Sequence, residues 1–172
     1  MAISLKSANI LIQKIQPKLK DNYKIEISID GLQEMVNELE NVLDVDYDSL
    51  RQLNKESLLW YQYITDLCSI LLVYQDRFKN TLDVYSYLSF LSKKDKNNFM
   101  LMAPKYKIPT RNIEDAVVLL ANKKSEMEIF VKDLNTLMKF LESYRRYMIF
   151  HYFRTSRLIN HSYARYKNTE DI

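Results

Sequence analysis

Apolar positions along this chain recur mostly at spacings of three and four, the period of a helix with one buried face. From Tyr47 to Leu91 there is no Gly and no Pro. With Leu50 set at position a of a heptad, the a positions are Leu50, Ser57, Ile64, Leu71, Phe78 and Tyr85. The d positions are Leu53, Trp60, Leu67, Tyr74, Thr81 and Leu88, and ten of the twelve are apolar or aromatic. A seam sustained over six heptads predicts a long helix of coiled-coil type. At 1.5 Å per residue its 45 residues span roughly 67 Å, too long for the core of one 20-kDa globule. Such a helix must fold against another long helix, another subunit, or both.

A second long run follows Asn112. Ile113, Ala116, Val117 and Leu120 share one face, Asn122 is a candidate interruption, and Ser125 with Glu128 has the spacing of a capping box. Beyond it, a and d positions hold Met127, Phe130, Leu134, Leu137, Leu141, Tyr144, Met148, His151, Thr155 and Leu158. Val131, Met138, Phe140, Tyr147, Phe150, Tyr152 and Ile159 form a second stripe beside it. A helix apolar on two sides needs two partners, which predicts a homo-oligomer.

The remaining segments are shorter. Residues 3–20 read as an amphipathic helix, with Ile3, Ile10, Leu11, Ile15 and Leu19 near one side and Pro17 weakening its last turn. Lysines inside and after its apolar residues argue for such a helix over a signal peptide. Residues 24–29 (KIEISI) alternate like a strand. No second convincing strand accompanies them, so they read as an extended lead-in able to pair with a second copy. Asp30 with Gln33 is the next capping signal, ahead of Leu32, Met35, Val36, Leu39 and Leu43. Asp46 or Asp48 is placed to cap the first long helix. Residues 92–111 hold Pro104, Pro109 and the cluster KKDKNN, and read as a long connecting loop. The expected organisation is an N-terminal segment 1–45, an elongated long-helix hairpin 46–167 with its loop at 92–111, and a tail 168–172.

Composition sharpens this all-α reading. One Gly and 3 Pro in 172 residues all but exclude a β fold rich in tight turns, and Gly31 alone cannot build a phosphate-cradling loop. Cys68 is solitary, so neither an intrachain disulfide nor a cysteine-based metal site is expected, and a reducing compartment is the simpler setting. No stretch reaches the length and apolarity of a membrane span. His151 and His161 stand ten residues apart, with neither HExxH nor Glu-x-x-His spacing. Asp76, Asp83, Glu126 and Glu128 read as solvated helix faces, and Cys68 as a small core residue. No catalytic residue, metal or cofactor is assigned, and the expectation is a protein that is not an enzyme.

Charge changes the picture more. The net +3 conceals a charge of −4 over residues 1–91, +5 over 92–111, −2 over 112–143, +6 over 144–167 and −2 over the last five. Lys93, Lys94, Lys96, Lys105, Lys107 and Arg111 make the first basic region. Arg145, Arg146, Arg154, Arg157, Arg165 and Lys167 make the second, interleaved with Tyr144, Tyr147, Phe150, Tyr152, Phe153, Tyr163 and Tyr166. Separated blocks of one sign point to a partner of the other sign, nucleic acid first. Charges balanced between subunits on a solvated surface, or a basic helix lying on an anionic membrane, are the alternatives. Aromatic rings stack on unpaired bases while Arg and Lys neutralise phosphates, a combination suited to single strands. Tyr144, Tyr147 and Phe150 extend the apolar stripes and are the better core candidates. Tyr163 and Tyr166 lie beyond them and remain stacking candidates.

Two segments carry a resemblance. Asp46 to Leu88 (DYDSLRQLNKESLLWYQYITDLCSILLVYQDRFKNTLDVYSYL) resembles the first long helix of the UvsY family, recombination mediators of T-even-type phages. The shared traits are an acidic start, early tyrosine and bulky apolar positions, a central repeat and a tyrosine-rich end. Ala121 to Ile159 resembles that family's C-terminal helical region in its charged start, apolar centre and basic, aromatic-bearing end. The resemblance implies a ring-like homo-oligomer without catalytic activity that binds single-stranded DNA. It implies further that the protein helps a RecA-type recombinase replace single-strand-binding protein, in the cytoplasm of a phage-infected host. Family DNA contacts near the end of the first long helix map onto Arg77 and Lys79, with Lys93, Lys94 and Lys96 following. The expected phosphate contacts are thus Lys93, Lys94, Lys96, Arg145, Arg146, Arg154 and Arg157, with Lys105, Lys107 and Arg111 in the same basic connection. A helical phage assembly or adaptor protein, acting through protein contacts, is the alternative.

Overall fold

The computed structural model describes the backbone of residues 5–170 and the side chains of residues 5–163. Among them the regular structure is all helical, with five α-helices and two short 3₁₀ turns. The helices are α1 (Lys6–Tyr23), α2 (Leu32–Glu40), α3 (Tyr47–Lys94), α4 (Lys96–Met102) and α5 (Ile113–Glu170). The chain forms two compact units, Leu71–Thr136 and a larger one that joins Met1–Ile70 to Leu137–Ile172.

In the larger unit, α1 buries Ala8, Ile12, Ile15 and Leu19. It runs through Pro17, which was expected to weaken its end, and stops six residues later. The stop is a left-handed cap at Lys24, φ 58°, whose N–H reaches back to Lys20 O. Residues 24–29 form no strand, yet their alternation is used. Ile27 and Ile29 are buried, while the Gln16 side chain donates to Ile25 O and accepts from Ile27 N–H, each at 2.9 Å. The Ser28 N–H donates to Tyr63 Oη. These backbone groups are satisfied within the chain, so pairing with a second copy is not needed to satisfy them.

The capping box expected at Asp30 does not form. Gly31 takes the N-cap position of α2 with φ 82°, and the Asp30 carboxylate accepts from Ser28 Oγ instead. Asp46 does cap α3: its carboxylate accepts from Ser49 N–H and Ser49 Oγ, both at 2.9 Å. These bonds hold its pKa below the usual carboxylate range.

The heptad reading of α3 holds throughout. All twelve a and d positions are buried or half-buried, in both units. The polar Ser57 is tolerated because its hydroxyl donates to Leu53 O at 2.7 Å. In the larger unit α3 and α5 are joined by Asn54 Nδ2, which donates to Tyr152 O, Thr155 Oγ1 and Ser156 Oγ at 2.8–2.9 Å. In the smaller unit Phe78 packs edge-on against Phe130 at 4.7 Å, and Gln75 donates to Asn135.

Helix α5 is unbroken where Asn122 and the Ser125–Glu128 box were expected to interrupt it. A capping residue ends a helix only where backbone N–H groups lack partners, and here the buried positions Leu120, Met127 and Phe130 continue through the site. Its first seam is buried from Met127 to Thr155, and Leu158 is half-buried. Residues 92–111 are also more ordered than a loop. Helix α3 runs to Lys94, α4 follows after one residue, and Ala103–Tyr106 forms a 3₁₀ turn.

Candidate nucleic-acid interface

The first basic region is held to the smaller unit by apolar anchors. Phe99, Ala103 and Ile108 are wholly buried in a cluster with Leu88 and Leu91 of α3 and Ala116 and Leu120 of α5. The spacing of those anchors decides which side chains face solvent. Asp95 caps α4 by accepting from Asn98 N–H and Asn98 Nδ2. Lys107 sits in the left-handed region, φ 62°, and closes the 3₁₀ turn by donating to Pro104 O. Asn112 Oδ1 accepts from Asp115 N–H and starts α5.

Lys93, Lys94, Lys96, Lys105, Lys107 and Arg111 are all exposed. None of the six has an acidic partner within 4.0 Å among the described residues. The one acid of the stretch, Asp95, is committed to its cap. Three aromatic side chains that the periodicity alone does not single out stand close by in the chain. Tyr87 is 50%, Phe90 56% and Tyr106 38% exposed. Tyr87, Phe90 and Lys94 follow one another at three and four residues, on one face of α3. Tyr106 lies between Lys105 and Lys107. The missed signal was an aromatic off the a/d seam next to lysine.

The second basic region belongs to the larger unit, and its members differ among themselves. Glu142 Oε1 accepts from Arg145 Nη2 at 2.7 Å and from Arg146 Nε at 3.2 Å. The Arg145 hydrogen bond, with its charge, holds Glu142 below the usual carboxylate range, and the same bond raises the Arg145 pKa. Arg145 is half-buried and its Nε has no acceptor among the described residues. Arg145 and Arg146 thus share one local carboxylate, with the Arg146 side chain still 78% exposed. Arg154 is half-buried beside His151, whereas Arg157 and Tyr163 are exposed. The side chains of Arg165, Tyr166 and Lys167 lie outside the described residues.

Tyr144 is 1% exposed, and burial pushes its hydroxyl pKa up to about 12, which places it in the core. His151 is 4% exposed, with its ring centroid 4.2 Å from that of Tyr147 at a 42° tilt, and edge-on to Phe150. Burial first, and the Arg154 charge second, lower its pKa. Neither His151 Nδ1 nor Tyr147 Oη has a hydrogen-bond partner among the described residues. Cys68 is half-buried, and burial raises its thiol pKa, opposite to the shift of a reactive thiolate. Among the described residues no group of three or more His, Cys, Asp or Glu side chains is placed to hold a metal ion. Among them, too, no helix is long and apolar enough to cross a membrane.

The first region thus presents six exposed cations without an acidic partner among the described residues, and three exposed aromatic rings near them in the chain. No family model, curated protein or solved structure matches this chain.

Proposed function

We propose that this chain is a non-enzymatic, single-stranded-DNA-binding protein of the recombination-mediator kind. It would help a RecA-type recombinase take the place of single-strand-binding protein, in a phage-infected host cytoplasm. In this reading α3 and α5 form an elongated hairpin with coiled-coil-like packing, and the hairpins assemble into a homo-oligomer. Several weak sites along one strand then supply avidity in place of a single tight site.

The observation that carries the reading is the connection between α3 and α5. Lys93 and Lys94 at the end of α3, close in the chain to Tyr87 and Phe90, and Lys96, Lys105, Lys107 and Arg111 of the connection, with Tyr106, are all exposed around the buried anchors Phe99 and Ile108. Phosphate contact and ring stacking together select unpaired strands, because every base has a face to stack and a duplex hides it. This moves the weight of the DNA contact from Arg145 and Arg146 to Lys93, Lys94, Lys96, Lys105, Lys107 and Arg111.

Fluorescence anisotropy with one oligonucleotide, single-stranded and as a duplex, tests it. Binding at low salt should favour the single strand, and Phe90→Ala or Tyr106→Ala should each weaken it by about 1–3 kcal/mol while sparing weak duplex binding. Absence of single-strand binding at low salt would overturn the proposal. Exposed Leu59, Ile70, Leu72, Val73 and Phe150 favour the second reading, an assembly or adaptor protein that binds other proteins through apolar helix faces.

A further inference from the structure

The larger unit carries two complementary surfaces that its own fold leaves uncovered. One is a depression of about 510 Å³ on α5, lined by Phe150, Phe153, Arg154, Arg157 and Leu158. Phe150 and Phe153 are 62% and 56% exposed, one turn apart on the same helix. A single exposed apolar side chain is ordinary, but two rings and a leucine beside two arginines make a pocket with a basic rim. Its occupant must bring an apolar knob within negative charge.

The same unit displays such a knob. Leu43 is 71% exposed at the middle of the 3₁₀ turn Val42–Asp44, while the neighbouring Val42 is buried and fixes the turn. Around it Glu38, Glu40, Asp44, Asp46 and Asp48 are all exposed, and no Lys or Arg occurs between Lys24 and Arg51. None of residues 38–48 lines the depression on α5, so both surfaces are open in one molecule.

We propose that two copies of this chain bind head to tail, with Leu43 of one seated between Phe150 and Phe153 of the next and its acidic flanks facing Arg154 and Arg157. The inference deepens the self-association in the proposed function by naming its contact. Each copy has one knob and one pocket, so the contact repeats and generates a ring or a filament. The rings supply apolar burial at the centre, and the charge pairs on the rim set orientation and exclude wrong partners. Under this assignment Arg154 and Arg157 serve the protein contact, and the connection between α3 and α5 serves DNA.

Sedimentation velocity on the full chain decides it. Wild type should sediment as an oligomer, and Leu43→Glu and Phe153→Glu should each be monomeric with unchanged helical circular dichroism. An equimolar mixture of the two variants should form a dimer that grows no further, because one intact knob and one intact pocket remain between them. A monomeric wild type, a variant that keeps the wild-type mass, or a mixture that stays monomeric would overturn the proposal. Should Phe153→Glu fail to fold, Arg157→Glu on the exposed rim replaces it. Single-strand binding is read separately on the wild type, where its absence at low salt would overturn the DNA reading while leaving the mass result intact. Weaker binding by the monomeric variants is the loss of avidity that the DNA reading expects.

Discussion

Replacing Lys93, Lys94 and Lys96 with Gln removes half of the free cations at the connection between α3 and α5. Each phosphate neutralised on a single strand contributes about 0.7 to the slope of log K against log salt. Six exposed cations without acidic partners give a wild-type slope of about −4 per bound chain, and three leave about −2. Between 50 and 200 mM salt, wild type should then lose roughly 300-fold in affinity and the variant roughly 20-fold. The control is Arg145→Gln with Arg146→Gln. Both arginines already face Glu142, so removing them should leave the slope within one contact of wild type. Anisotropy titrations of a labelled single strand at four salt concentrations measure all three slopes. Should the arginine pair lower the slope while the lysine triple leaves it at the wild-type value, the assignment of the DNA contact to the connection is refuted.

Three further outcomes follow from the packing. His151 has a lowered pKa, so the unfolded chain takes up its proton first, and stability should fall as pH drops below about 6.5. Asp46 and Glu142, lowered as well, begin to add their losses only at about pH 5 and below, so urea midpoints across about pH 5.5–7.5 isolate the histidine. His151→Leu should abolish that slope, and a slope unchanged in the variant would assign it elsewhere. Phe99→Ala should cost about 3–5 kcal/mol within the smaller unit, since Phe99 is wholly buried among Leu88, Ala103 and Ile108. It should also weaken single-strand binding by loosening the lysine-bearing connection, and denaturant unfolding with anisotropy reads both effects. Gly31→Ala should cost about 1–2 kcal/mol in thermal melts. The cost arises from φ 82° alone, because nothing lies within 4 Å of an added Cβ.

Local chemistry could be read directly from the chain wherever one residue and its neighbours decide the outcome. The a/d seams of both long helices placed Leu53, Ile64, Leu71, Leu134, Leu141 and Met148 inward, because helical period and burial follow from spacing alone. The cap of α3 was legible as Asp46 or Asp48, and the hydrogen bonds from Ser49 decide for Asp46. The segregation of charge was legible too, and with it the two basic regions. Packing decided what spacing leaves open. Asp30 was spared as a cap because Gly31 could take the left-handed conformation that turns the chain into α2. Ser125 and Glu128 stayed mid-helix because Leu120, Met127 and Phe130 all had core to cover. Phe99, Ala103 and Ile108, far apart from any regular stripe, converted an expected loop into a pinned helical connection and turned its lysines outward. Glu142 likewise separated Arg145 and Arg146 from the free cations, a pairing set by side-chain geometry that net charge does not contain. The sequence by itself thus determined an all-helical chain with two long seams and two basic regions. Only the tertiary structure decided which cations and rings are free to bind, because freedom depends on which neighbours the fold brings within hydrogen-bonding or packing distance.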